Sequence, residues 1–201
     1  MQKDTLRYHI GVATYSVGVA YNNRKASLQF IQQEMNNITA LSNETCQLGI
    51  QSRNMVLYIA KKDSPQPIRL MSSVGKQLPL YCTGLGRALL AYKSEEEIRS
   101  LFPEVLTAYT PHTIATINDL LKELELTRQR GYAVEREETN LMVNCIAVSL
   151  DYNNAPIAAL SISIPTFRIS ESKEKEAVQI LWEAKQRIET HFKMYGVDFG
   201  N

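Results

Sequence analysis

Apolar residues recur at three- and four-residue intervals along four stretches of the chain, a spacing typical of helices that bury one face. The pattern predicts helices over 12–21, 24–41, 116–130 and 170–193. In the second of these helices the predicted buried stripe reaches Leu41, and in the third it includes Leu126. Gly131 follows the third helix and is expected to take the left-handed conformation that ends many helices.

Between the helices, shorter segments alternate apolar and polar residues, as strands with one buried face do. This alternation predicts strands over 45–51, 55–61, 68–72, 132–135, 143–152 and 156–164. Arg53-Asn54 and Asn153-Asn154 occupy turn positions between paired segments, so two hairpins are expected. Hairpins interrupted by helices favour an α+β fold, with an antiparallel or mixed sheet flanked by helices, over a repeating parallel βαβ array.

The segment LPLYCTGLGRALL, residues 78–90, predicts a tight glycine turn that leads into an amphipathic helix. Gly84 and Gly86 permit close backbone approach, and the free amides at a helix start favour an anion. Taken alone, a short glycine motif more often marks an ordinary strand-to-helix turn. Ser94 and Glu97 form a capping-box pattern, which predicts a further short helix ending near Phe102.

The composition of the chain mostly excludes kinds of protein and kinds of site. A chain of 201 residues with 44% hydrophobic and 21% charged residues is typical of one globular domain. The net charge of +1 indicates no broad basic surface, so this chain alone is not expected to bind nucleic acid. No apolar run has the length of a membrane span or the form of a signal peptide, and we expect a cytoplasmic protein without a membrane partner. Three widely spaced cysteines predict reduced thiols, with neither a metal nor a cofactor.

Polar residues on the later strands form a candidate site. Ser161 and Ser163 are two residues apart and therefore face the same side of a strand, and Cys145 and Glu135 lie on neighbouring strands. Local hydrogen bonding would also account for the serines, and core packing for Cys145. A nucleophilic pair of Cys145 with His112 would instead make the chain a small cysteine hydrolase. No recognised nucleophile motif supports that alternative, so we expect no catalytic activity.

Four segments in a fixed order carry a family resemblance: LPLYCTGLGRALLAYKSEEE, YTPHTI, LTRQRGYAVEREETNLMVNCIAV and IAALSISIP. Together with the long closing helix, they resemble the effector-binding domain of IclR-type transcriptional regulators. The resemblance implies a GAF-like architecture, with a ligand pocket on one sheet face and long terminal helices on the other. It also implies that residues 1–23 end a winged-helix domain and form a linker helix, and that residues 24–201 are the effector-binding domain.

The same resemblance assigns roles to particular residues. The pocket is expected to include the turn residues Thr83, Gly84 and Leu85, the polar residues Glu135, Cys145, Ser161 and Ser163, and the apolar residues Leu70, Leu78 and Val143. A small carboxylate or sugar acid suits such a pocket, because amides and hydroxyls can donate to a carboxylate. Glu135 would repel a carboxylate if ionised, and it could instead accept hydrogen bonds from ligand hydroxyls.

The implied function is that of the ligand-sensing and oligomerising part of a bacterial DNA-binding regulator. Dimers or tetramers are expected, with DNA contacted only through a winged-helix domain that precedes Met1. The alternative is a free-standing GAF-like signalling module that binds a nucleotide or another metabolite. The residues that precede Met1 in the native gene would distinguish the two.

Overall fold

A computed structural model describes residues 11–23, 26–68 and 73–197. The predicted strand over 68–72 lies outside this part of the chain except for Ile68, and the predicted wall residue Leu70 lies outside it as well. The described residues nevertheless include the glycine turn, both predicted hairpins and all four predicted long helices apart from residues 24 and 25.

The described helices are α1 (Val12–Asn23), α2 (Ala26–Ser42), α3 (Gly84–Leu90), α4 (Glu95–Leu101), α5 (Ile117–Arg130) and α6 (Glu171–Tyr195). The described strands are β1 (Thr45–Ser52), β2 (Met55–Lys62), β3 (Gln77–Pro79), β4 (Ala133–Arg136), β5 (Val143–Tyr152) and β6 (Ala155–Pro165). The predicted α+β class is confirmed, and most predicted boundaries differ from the observed ones by one or two residues.

The strands form one antiparallel sheet in the order β3-β2-β1-β6-β5-β4. Both predicted hairpins are present. Arg53 turns β1 into β2 with φ 57°, while Asn153 and Asn154 turn β5 into β6 with φ 51° and 63°. Left-handed φ values at both central residues match the right-handed twist of the flanking strands, which explains the pair of asparagines. Because β1 and β6 pair, the two hairpins are joined into one continuous sheet.

Each face of the sheet carries its own hydrophobic core. Helices α2 and α6 cover one face, and α3 and α5 pack on the other. The predicted stripes are wrong at two positions, since Leu41 is 56% exposed and Leu126 is 51% exposed. In α2 the buried stripe ends with Ile38 and Ser42, and in α5 it ends with Leu124 and Thr127. Leu41 and Leu126 therefore project to the solvent side.

Helix α3 differs from the amphipathic helix that was predicted, because all seven of its residues are buried. The helix lies so close to the preceding 3₁₀ turn that a Cβ on Gly86 would come within 2.1 Å of the Leu80 carbonyl oxygen. Gly86 is therefore required by close backbone packing. The predicted capping box of α4 is confirmed, with Ser94 and Glu97 each bonding the other's backbone amide. Gly131 ends α5 with φ 78°, as expected.

Candidate functional site

A cavity of about 30 Å³ lies between the sheet and the start of α3. Its volume corresponds to on the order of two water molecules. The walls are Gln47, Tyr58, Lys76, Leu78, Thr83, Gly84, Leu85, Glu135, Thr139, Asn140, Val143, Cys145 and Ser161. Eight of the ten predicted pocket residues thus line one cavity. Ser163 lies just behind the wall, and Leu70 is outside the described residues.

Strand register brings the polar wall residues together. Glu135 of β4 is paired with Cys145 of β5, and Cys145 is paired in turn with Ser163 of β6. One step along the same face, Ser161 is paired with Gln47 of β1. Because alternate residues face the same side of a sheet, these five side chains project from the face on which α3 packs. Their convergence follows from the antiparallel pairing of four strands.

The two serines differ in their hydrogen bonding. The Ser163 hydroxyl donates to Gln47 Oε1 at 2.9 Å and lies 3.1 Å from Cys145 Sγ. The Ser161 hydroxyl is 1% exposed, and its oxygen has no hydrogen-bond partner among the described residues. A buried hydroxyl without a partner costs about 1 to 3 kcal/mol, so such groups are rare in folded proteins. Ser161 therefore presents a hydrogen-bonding group to the cavity.

Glu135 is the buried acid of the site, with 1% of its surface exposed. Its Oε1 accepts hydrogen bonds from the backbone amides of Glu138 at 2.5 Å and Thr139 at 3.4 Å. Burial raises the pKa of the Glu135 carboxyl to about 7, with a further rise from the Glu138 charge that is opposed by the amide bonds and Arg87. Near neutral pH a substantial fraction of Glu135 is therefore protonated and can donate a hydrogen bond.

A buried ion pair supports the site from behind. Arg87 of α3 is 1% exposed, and its Nη2 lies 2.5 Å from Glu138 Oε2. The same guanidinium donates to the carbonyl oxygens of Tyr81 and Val134, and Glu138 Oε2 also accepts from the Ile114 amide. These bonds connect α3, β4 and the loop before α5. Glu138 therefore contacts Glu135 through its backbone amide, and Arg87 and the Ile114 amide through its carboxylate.

The glycine turn offers fewer free backbone amides than its sequence motif predicts. Thr83 is the N-cap of α3, and its hydroxyl oxygen accepts from the Gly86 amide at 3.1 Å, so that amide is occupied. Gly84 and Leu85 are the first two helical residues, whose amides have no partner within the helix. A Cβ on Gly84 would lie 3.2 Å from the Cys145 Cβ, so this glycine allows α3 to pack directly on the sheet.

The hydrolase alternative, which the sequence disfavoured, finds no geometric support either. Cys145 lines the cavity between α3 and the sheet, whereas His112 lines a separate cavity with Arg87 and Glu138. Burial raises the pKa of the Cys145 thiol well above its usual value, and the Glu135 charge adds to that rise. A thiol held in its neutral form is a poor nucleophile. The structure therefore does not assemble the proposed nucleophilic pair.

The described residues form neither a metal centre nor a membrane-spanning helix. No cluster of three or more histidine, cysteine, aspartate or glutamate side chains there could hold a metal ion. None of the described helices combines the length and apolar character that a bilayer crossing requires.

Five wall residues were not predicted from the sequence: Gln47, Tyr58, Lys76, Thr139 and Asn140. Gln47 offered a usable signal, because it is a polar residue between Cys46 and Leu48 within a predicted strand. Thr139 and Asn140 follow the charged residues Glu135 to Glu138, which begin within β4. Lys76 and Tyr58 depend on how the segment before β3 folds against β2, which local patterns do not show.

Comparison with known proteins identifies the class of this domain. Residues 21–190 match the family model described as "Bacterial transcriptional regulator IclR C-terminal". The chain is 34% identical over 184 residues to the HTH-type transcriptional regulator KdgR of Dickeya chrysanthemi. That alignment covers 90% of this chain and 60% of KdgR, so the chain spans less than two thirds of that relative.

Solved structures agree with this match. The structure of IclR from Thermotoga maritima superposes with a TM-score of 0.83 at 30% identity, covering 94% of this chain and 77% of that one. An IclR homologue from Microbacterium hydrocarbonoxydans, solved in complex with 4-hydroxybenzoate, shares the fold with a TM-score of 0.78 at 21% identity. It covers 92% of this chain and 76% of the homologue. The chain belongs to the IclR family of bacterial transcriptional regulators, which are not enzymes.

Proposed function

We propose that this domain senses a small carboxylate or sugar acid in the cavity between α3 and the sheet, and that binding there modulates transcription. The observation that carries the proposal is the Ser161 hydroxyl, which is buried against the cavity without a hydrogen-bond partner among the described residues. A ligand oxygen in the cavity would satisfy it. The neighbouring Glu135 supplies either a donor or an acceptor, depending on its protonation.

The size of the cavity supports a small ligand. About 30 Å³ accommodates on the order of two water molecules, so a multi-carbon acid must displace part of the wall. Asn140 is exposed and lies in the segment between β4 and β5, which makes it a wall residue that is able to move. Gly84, Cys145 and Ser161 are fixed by packing on the sheet. Ligand binding is therefore expected to reposition the exposed residues of the cavity wall, which form its rim.

Transmission to DNA is proposed to proceed by population shift. A ligand that favours one arrangement of the rim would favour one arrangement of the Arg87–Glu138 network and of the loop before α5. We propose that α1 connects this change to a winged-helix domain formed partly by residues before α1, with residues 24–201 as the sensing domain. The relative KdgR is an HTH-type transcriptional regulator, which supports that arrangement. Dimers or tetramers would place two or more such domains on an operator.

A thermal-shift screen against small oxoacids, sugar acids, aromatic carboxylates and nucleotides tests the proposal. The 4-hydroxybenzoate complex of the M. hydrocarbonoxydans homologue makes that acid a first aromatic probe. A selective rise in Tm with one carboxylate is expected in the wild type. The double variant Ser161→Ala with Ser163→Ala should abolish this rise.

The matched control is Ser100→Ala with Ser172→Ala, which removes two exposed hydroxyls remote from the cavity. It should respond to the acid as the wild type does. A response to nucleotides alone would support the signalling-module alternative. An acid response that is equal in the two double variants would place the ligand elsewhere on the domain.

A further inference from the structure

We infer that Thr110 and Thr113 are positioning residues of the candidate site: their hydroxyls orient the two peptide units whose amides hold the Glu135 carboxyl in the cavity wall. The inference rests on the proposed sensing function and deepens it, because it assigns two residues outside the wall to effector binding. Neither threonine lines the cavity, so both act through the backbone of residues 137–139.

Two consecutive peptide units bend around the Glu135 carboxyl. The first joins Glu137 to Glu138, and its Glu138 amide donates to Glu135 Oε1 at 2.5 Å. The second joins Glu138 to Thr139, and its Thr139 amide donates to the same oxygen at 3.4 Å. The bend includes Glu137 at φ 57°, a left-handed conformation that a residue with a side chain seldom adopts. Such a conformation persists only where its surroundings support it.

The two threonines supply that support from the other side of each peptide unit. Thr110 Oγ1 donates to the Glu137 carbonyl oxygen at 2.6 Å. Thr113 Oγ1 donates to the Glu138 carbonyl oxygen at 2.6 Å. In a trans peptide unit the carbonyl oxygen and the amide hydrogen lie in one plane and point in opposite directions, so a hydroxyl that holds the oxygen also aims the hydrogen. Each threonine in this way aims one of the two amides at the carboxyl.

The hydroxyl protons of the two threonines are directed by amides of their own loop, residues 109–114. Thr113 Oγ1 accepts from the Tyr109 amide at 3.0 Å and from the Thr110 amide at 2.9 Å. Thr110 Oγ1 accepts from the His112 amide at 3.1 Å. A hydroxyl has one proton and two acceptor positions, so amides at the acceptor positions leave the proton for the carbonyl oxygens of the turn. Both threonine hydroxyls are thus oriented by the backbone of their own loop.

Glu135 links this turn to the cavity. It lines the wall together with Cys145 and Ser161, and its carboxyl can donate or accept a hydrogen bond. A carboxyl held by two amides keeps one position in the wall. If it loses one of them, it gains rotational freedom that ligand binding must remove at a cost in affinity. The loop 109–114 therefore contributes to effector binding although it does not line the cavity.

Amide NMR spectra of the domain test the positioning directly. Thr110→Val keeps the shape of the side chain and removes the hydroxyl, so the Glu138 amide proton should move upfield as its bond to the carboxyl weakens. Thr113→Val should move the Thr139 amide proton in the same way. Thr110→Ser restores the hydroxyl and should return the Glu138 amide to its wild-type position. Thr107→Val is the matched control, because Thr107 is an exposed residue shortly before the loop.

Titrations with gluconate, glycerate and 4-hydroxybenzoate test the effect on binding. At about pH 5.5 the Glu135 carboxyl is mostly protonated, since burial raises its pKa to about 7, so a change in affinity there reports its position rather than its charge. Thr110→Val should weaken binding of each acid that binds the wild type by on the order of fivefold. Thr110→Ser and the Thr107→Val control should bind that acid as the wild type does.

The outcomes separate this inference from the proposed function. If binding of an acid depends on Ser161 and Ser163 but Thr110→Val binds it with unchanged or higher affinity, the inference is wrong and the proposed function stands. An unmoved Glu138 amide in Thr110→Val also overturns the inference. If none of the three acids binds the wild type, the proposed function fails and the role in binding fails with it, whereas the amide shifts still decide whether the threonines position Glu135. Weaker binding and a moved amide in the valine variant, both restored by serine, support the inference.

Discussion

Replacing Glu135 with glutamine should change how the stability of the domain depends on pH. Glu135 is 1% exposed, and burial raises the pKa of its carboxyl from the ordinary value of 4.5 to about 7. Between these values the folded state binds the proton more tightly than the unfolded state does. Its contribution to stability is therefore fully present below about pH 4.5 and is lost as the pH rises through about 7.

The magnitude follows from the difference between the two pKa values. At 1.36 kcal/mol per unit, the rise from 4.5 to about 7 corresponds to about 3 kcal/mol of stability lost across this range. Glutamine cannot ionise, and its carbonyl oxygen can still accept from the amides of Glu138 and Thr139. The free energy of unfolding of Glu135→Gln, relative to wild type, should therefore rise by about 3 kcal/mol from acid to mildly alkaline pH.

Urea denaturation at a series of pH values measures this difference. Glu96→Gln is the control, since Glu96 is an exposed acid of α4 and its replacement should give a difference from wild type that varies little with pH. Two results would refute the reasoning about Glu135. One is a difference curve as flat as that of the control, and the other is a curve that falls as the pH rises.

Three further perturbations test the framework around the site. Gly86→Ala should lower the free energy of unfolding by about 2 to 3 kcal/mol or prevent folding, because its Cβ would overlap the Leu80 backbone. In the control Gly18→Ala, the added Cβ has no neighbour within 4 Å, so the Tm should stay near that of the wild type. Equal Tm values for the two variants would contradict the close packing of Gly86. Glu138→Gln should lower the free energy of unfolding in urea by about 3 kcal/mol, because it leaves Arg87 buried without its anion. Adding Arg87→Met should recover part of that loss. No recovery would show that the two side chains are not energetically coupled. Ser94→Ala should lower stability by about 1 kcal/mol through loss of the α4 N-cap, whereas an unchanged Tm would show that this cap is dispensable.

Local sequence chemistry determined much of the fold. Asn153-Asn154 specified a hairpin because two consecutive left-handed residues are needed there, and Gly131 and Ser94 marked helix ends for equally local reasons. Spacing along β6 places Ser161 and Ser163 on one face whichever strands pair with β6. These predictions succeeded because each depends on dihedral preferences or periodicities within a few residues.

The tertiary structure decided what the site residues do. The full burial of α3, the hydrogen bond that occupies the Gly86 amide and the missing partner of Ser161 all arise from packing between distant segments. Lys76 reaches the cavity only because its segment pairs with β2. The raised pKa of Glu135 likewise depends on exclusion of water by four strands and α3. Desolvation and orphaned hydrogen bonds are properties of an assembled interior, so the sequence determined which groups were available and the fold determined their chemical state.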